Sequence, residues 1–299
     1  MPNMFAPSRL VHLGLIVFAS AVSLVAEPAV AARAAAVQGC LATYANPPRR
    51  ADRRVDFPRL LRELADLGAN TYNFLVWREA TDWDDLRAFL PLARAHSLRV
   101  WVTLVPPTES PPQTKNYSEP YRTDYARWAG EIARLSASEP ALVAWSIDDF
   151  AHNLRTYTPA TVRAMLEAAR GINPRLAFVP CVYFRQLTPK FAAAYGDLLD
   201  GVLFPYRNES VKANLTDAGQ VAAEVARVRA LFRPGLPIIV DVYASRHSSL
   251  GDSTSDYVAQ VAASGRATAD GVMIYCHQSP TAQAEKYAAI RRTFAPSPR

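Results

Sequence analysis

The chain has 299 residues, half of them hydrophobic, and a formal net charge of +6. That is enough apolar material for one large core and too much for a disordered chain. Three cysteines, Cys40, Cys181 and Cys276, exclude a complete disulfide framework, and no CxxC or Cys/His spacing offers zinc, so they read as small buried hydrophobes. The basic residues cluster only at Arg49, Arg50, Arg53 and Arg54, which read as a solvated loop. No basic stripe interleaved with aromatics points to nucleic acid.

At the start, Arg9 precedes an apolar run from Leu10 to Ala26, followed by Ala29-Val30-Ala31 and Ala32-Arg33-Ala34. A basic start, an apolar stretch and small residues at alternate positions form a secretory signal over residues 1–34, with cleavage near Ala31 or Ala34. The expected location is therefore secreted or periplasmic, with an uncleaved anchor as the alternative. No later stretch is long enough to span a bilayer.

Residues 35–299 then alternate between two patterns. Short β-rich runs begin near Gln38 (QGCLATY), Asn70 (NTYNFLVW), Arg99 (RVWVTLV), Leu142 (LVAWSIDDF), Leu176 (LAFVPCVYF), Gly201 (GVLFPY), Pro237 (PIIVDVY) and Gly271 (GVMIYCH). Amphipathic segments separate them: in FPRLLRELADLGA, Leu60, Leu61, Leu64 and Leu67 share a face and Gly68 is a stop signal. Thr158-Pro159 and Ser279-Pro280 place a cap residue before a proline at a predicted helix start. Strands alternating with helices imply parallel strands joined by crossovers. Eight such units give a single-domain α/β fold, the (β/α)8 or TIM barrel. No glycine-rich phosphate turn follows the first strand, as an open dinucleotide-binding sheet would have.

Chemistry in such barrels sits at the carboxyl ends of the strands. Those ends carry Tyr44, Trp77, the pair Asp148-Asp149, Tyr183, Tyr206, Asp241, Tyr243, Tyr275 and His277. A ring of aromatics around a few carboxylates suits a carbohydrate, since aromatic faces take the apolar faces of sugars and carboxylates take hydroxyls and protons. Taken singly, each aromatic is equally a cover for the barrel mouth. The long polar loops at 106–122, 207–217 and 246–256 have the character of cleft-forming segments. In the fourth strand, Ala144, Ser146 and Asp148 share a parity opposite to that of Val143, Trp145 and Ile147, which turns Asp148 toward the interior or the mouth. His96, His152, His247 and His277 form no metal-ligating pattern, so neither a metal nor another cofactor is expected.

SIDDFAHNL, at residues 146–154, resembles the fourth-strand end of glycoside hydrolase family 84, the O-GlcNAcases and related β-N-acetylglucosaminidases. Leu67-Gly68-Ala69-Asn70-Thr71-Tyr72 resembles that family's entry to strand two, and the likeness covers about residues 39–154. It implies that Asp148 orients a 2-acetamido group whose oxygen attacks the anomeric carbon, while Asp149 protonates the leaving oxygen and later deprotonates water. This route is a known departure from the two-carboxylate scheme. Two alternatives stay open: a double displacement by Asp149 with Asp241 or Glu209, and a non-catalytic barrel that binds glycans. Oligomeric state is not written in the sequence.

Overall fold

The computed structural model describes residues 19–247, 249–276 and 279–295. The start of the expected signal and His277 lie outside the described residues.

The eight expected strands are present: β1 (Cys40–Ala45), β2 (Thr71–Val76), β3 (Arg99–Leu104), β4 (Leu142–Ile147), β5 (Ala177–Phe178), β6 (Val202–Tyr206), β7 (Ile238–Tyr243) and β8 (Gly271–Tyr275). All paired neighbours are parallel, in the order β5-β4-β3-β2-β1-β8-β7-β6. The two ends of that row meet at a parallel bridge between Cys181 and Leu203. There the Val182 N–H donates to the Leu203 carbonyl (2.9 Å) and the Leu203 N–H to that of Pro180 (3.0 Å). The (β/α)8 barrel is thereby closed. β5 is shorter than the run LAFVPCVYF suggests, because Pro180 has no N–H to continue the ladder.

One helix follows each strand: α2 (Phe57–Leu67), α3 (Asp82–Ala95), α4 (Tyr125–Ser138), α5 (Pro159–Ile172), α6 (Pro189–Tyr195), α7 (Val221–Arg229), α8 (Ser255–Thr268) and α9 (Ala284–Phe294). α2 ends where expected, with Gly68 left-handed (φ 73°) and its N–H on the last-turn carbonyls. Thr158 caps α5 by accepting from the Thr161 N–H. Ser279-Pro280 opens only a turn, and α9 starts after Gln283.

Strand alternation divides the core in two. Outward residues pack with the helices in a continuous annulus, while inward ones, among them Ala42, Tyr44, Leu75, Trp101, Ala144, Val179, Leu203 and Met273, fill the barrel. The interior also holds a polar layer, in which Thr103 Oγ1 donates to Asn73 Oδ1 (2.8 Å). The arginine cluster is a solvated loop only in part, with Arg50 and Arg53 exposed. Arg49 reaches Asp82 (2.5 Å) and Arg54 reaches Asp85 (2.6 Å), both buried carboxylates in the first turn of α3.

Beneath the barrel, helix α1 (Ala19–Val37) ends by inserting Val37 into the interior cluster. Arg33 is buried there, donating to Asp200 Oδ1 (2.7 Å) and to the Pro174 carbonyl (2.8 Å). Asp200 also accepts from Arg170 (3.0 Å) and from the Phe178 N–H (3.0 Å), so one carboxylate ties α1, α5 and β5 together. A cut after Ala31 keeps Arg33 on the barrel, whereas a cut after Ala34 removes it. Removing one partner of a buried pair leaves the other charge poorly compensated, at a cost of about 3–5 kcal/mol. Because Arg170 remains, Arg33→Ala is expected to cost about 3 kcal/mol, near the lower bound. The check is a urea titration. An unchanged midpoint would show that the pair carries no stability.

Candidate active site

The carboxyl ends of the strands surround a cavity of about 280 Å³ lined by Tyr44, Glu109, Asp148, Asp149, Cys181, Tyr183, Pro205, Asp241, Tyr243, Arg246, His247 and Tyr275. That is small for a ligand pocket, on the scale of roughly 300–1,000 Å³, and suits one sugar ring better than a chain.

β4 builds its centre. Ala144 faces the barrel interior while Trp145 and Ile147 face the helices, so parity sends Asp148 inward, as the sequence reading held. Asp148 is only 7% exposed. The chain then turns sharply: Asp149 is left-handed (φ 43°, ψ 37°), a conformation rare for a residue with a side chain. The turn brings the Asp149 N–H onto Asp148 Oδ1 (2.9 Å) and leaves the Asp149 carboxyl at the rim. There Asp149 Oδ2 lies 3.4 Å from His152 Nδ1. The helical turn Phe150–Asn153 begins directly after, so strand, kink and turn together present two neighbouring carboxyls at different depths.

Asn153, buried, holds a second loop against this one. Its side chain donates to the Asp149 carbonyl (3.0 Å) and to Thr108 Oγ1 (2.9 Å), and accepts from the Thr108 N–H (3.1 Å). Thr108 lies within the short turn Pro107–Glu109 after β3, and Glu109 lines the cavity. Asn153 therefore fixes a third carboxyl beside the aspartate pair. From β7 comes a fourth, Asp241, 1% exposed, with its Oδ1 unpartnered among the described residues.

The tyrosines form an arc. Tyr44 and Tyr275 have ring centroids 5.2 Å apart, Tyr275 and Tyr243 5.1 Å, and the Tyr243 and Tyr183 hydroxyls are 3.1 Å apart. The Tyr44 hydroxyl is buried beside Asp148. Arg207 lies over the Tyr183 ring at 4.0 Å and binds Glu209 and His247 Nε2.

Of the residues named from sequence, Tyr44, Asp148, Asp149, Tyr183, Asp241, Tyr243 and Tyr275 come together. Tyr206 does not: Leu203 and Pro205 take the inward parity of β6, and Tyr206 packs among the helices with its hydroxyl on the Asp217 carbonyl (2.9 Å). Trp77 lies against the interior core without lining the cavity. Glu209 is committed to Arg207 and to the Arg185 N–H (3.0 Å), and lies outside it too. The sequence reading missed Glu109, Cys181, Arg246 and His247 as lining residues. Glu109 was visible only as an acid in a proline-rich loop, with no periodicity to aim it.

Burial and crowding govern the electrostatics. Desolvation, then repulsion from Asp149, pushes Asp148 up to about 6, against the pull of the groups that bond to it. Desolvation, then Asp148 and Asp149, pushes Glu109 up to about 8. Burial, then Asp148, raises Asp241 well above the usual carboxylate range. His152 is raised, chiefly by its bond to Asp149, while His247 is lowered by burial and by Arg207. At neutral pH the cavity holds protonated carboxyls beside charged ones, the condition for acid and base chemistry in one place.

No protein-family model and no curated protein matches the chain. Several solved glycoside hydrolases share its barrel. A family 39 enzyme from Bacteroides cellulosilyticus aligns with a TM-score of 0.56 at 10% identity, covering 88% of this chain and 64% of its own. A family 2 β-galacturonidase from Eisenbergiella tayi, bound to galacturonate, gives 0.54 at 12%, over 86% and 51%. β-Glucuronidase 2 of Bacteroides uniformis gives 0.54 at 13%, over 80% and 30%. The likeness is one of fold. The chain spans about a third of the glucuronidase and half of the galacturonidase, and it brings the carboxyl-rich mouth described here on a barrel these hydrolases share.

Carboxyls with raised folded values hold protons that the unfolded chain has already released. Stability should therefore fall as pH rises from about 4, the ordinary carboxylate value, toward about 8. Glu109→Gln should flatten the upper part of that decline. Thermal melts across the range provide the check, and identical slopes in wild type and variant would contradict the assignment.

Proposed function

We propose that the protein is an exported glycoside hydrolase acting on one sugar residue in the tyrosine-lined cavity. The observation that carries this is the convergence of Glu109, Asp148, Asp149 and Asp241 on a space of about 280 Å³ at the carboxyl end of a (β/α)8 barrel. Glycosidic cleavage requires one carboxyl that gives a proton to the leaving oxygen and another that remains charged. Glu109, protonated through neutral pH, fits the first role. Asp149, at the rim against His152, fits the second, as nucleophile or base. Asp148, beneath it, orders the sugar. Within this reading Asp241 is an alternative partner for Asp149, while Glu209 is not, since its carboxylate is spent on Arg207.

A second reading follows the family 84 resemblance, with Asp148 orienting a 2-acetamido group and Asp149 protonating the leaving oxygen. It is favoured by the order of the pair, one aspartate buried and inward and the next at the rim. A thiazoline that mimics the oxazoline intermediate separates the two, inhibiting only the second mechanism.

Hydrolysis of aryl glycosides should show a bell-shaped pH profile with limbs near 6 and 8, because Asp148 must ionise and Glu109 must stay protonated. Asp149→Asn should lower kcat by roughly 10²–10⁴. Glu109→Gln should abolish the alkaline limb and slow poor leaving groups far more than dinitrophenolate. Sugar binding without turnover in the wild type would instead identify a non-catalytic glycan-binding barrel.

A further inference from the structure

The cavity floor is unbalanced in charge. Four carboxyls line it; Asp149 faces His152, whose protonated form it favours, while neither Asp148 nor Asp241 forms an ion pair among the described residues. His247 is held toward its neutral form, and Arg207 turns to Glu209. Arg246, the remaining lining cation, is exposed on the loop after β7. Deep in the cavity, Asp241 Oδ1 is buried without a partner among the described residues, and the buried Tyr44 hydroxyl lies beside Asp148. Buried polar atoms are paired in the great majority of cases, so an orphaned carboxylate oxygen facing this small space points to a bound group that completes it. Among the described residues no three His, Cys, Asp or Glu side chains form a group that could hold a metal ion.

From these observations, and resting on the glycosidase reading above, we propose that the sugar carries a free protonated amine, as a 2-amino-2-deoxyhexose does, with its ammonium seated on Asp241 and Asp148 beside Tyr44. An ammonium brings three N–H donors and the missing positive charge in a volume no larger than a hydroxyl's surroundings allow. A hydroxyl supplies one donor and no charge. An acetamido group supplies one donor, no charge and additional bulk, leaving the repulsion among the carboxyls in place. The same repulsion that lifts these carboxyls in the empty cavity is what an ammonium removes, so its binding is coupled to proton release.

The test uses 1,5-anhydrohexitols, which have no glycosidic bond to break, carrying a hydroxyl, an amino or an acetamido group at C2 in the gluco and galacto series. Calorimetry with the full-length wild-type protein at neutral pH should show the amino compound binding at least tenfold more tightly than the hydroxyl compound. Repeated in two buffers of different ionisation enthalpy, it should also show proton release with the amino compound alone. Asp241→Asn should erase the preference for the amino over the hydroxyl compound, and the proton-release measurement needs no variant if that substitution fails to fold. Equal affinities, tighter binding of the acetamido compound, or no binding of the amino compound would each overturn the proposal. The glycosidase reading falls separately, and only if the wild type also turns over no aryl glycoside.

Discussion

Carboxyls crowded together in one small cavity, two of them buried, cannot all ionise, and the site depends on that constraint. Each added charge raises the cost of the next, through lost solvation and mutual repulsion. The protein meets this by grading its acids by depth. Asp241 lies deepest on β7, Asp148 lies above it at the end of β4, and Asp149 reaches the rim, with Glu109 approaching from the loop after β3. Burial and repulsion raise Asp241, Asp148 and Glu109, and the hydrogen bonds to Asp148 hold it below Glu109, so a single cavity holds donors and acceptors together.

The barrel makes this arrangement possible because closure brings distant segments to one mouth. Glu109 and Asp241 are far apart in sequence, yet each follows or ends an inward-facing strand position on the same face. Closure depends on a small contact, the bridge between Cys181 and Leu203, and Cys181 itself faces Asp148. Two local devices refine the geometry. The left-handed backbone at Asp149 separates two consecutive aspartates in depth, and Asn153 binds the Asp149 carbonyl and Thr108 together so that two loops act as one. Strained backbone held by its surroundings is a recurrent property of functional sites, and here its consequence is visible in the position of a carboxyl.

Much of this was legible in the sequence. Eight short β-rich runs and the intervening amphipathic helices identify the barrel, and the parity of Ala144, Ser146 and Asp148 orients the buried aspartate. The same parity argument, applied to Leu203 and Pro205, turns Tyr206 outward; treating every aromatic at a strand end as equivalent concealed that. Glu109 escaped for a different reason. Its position is set by the tie from Asn153 across 45 residues, and no local pattern reports a bond between two loops. Glu209 is lost to the site because Arg207, two residues away, and the Arg185 N–H take its carboxylate, and Trp77 because it packs against the interior core.

The proposed hydrolysis requires a sugar in this mouth, next to the aspartate pair, and at no other surface of the barrel. A crystal structure of the Asp149→Asn variant soaked with a slow aryl glycoside tests it most directly. One sugar ring is expected between Tyr243, Tyr275 and Asp241, with its anomeric carbon facing residue 149 and its leaving oxygen within hydrogen-bonding distance of Glu109. A sugar ordered at a different surface, or one in the mouth whose anomeric carbon faces away from residue 149, would contradict it.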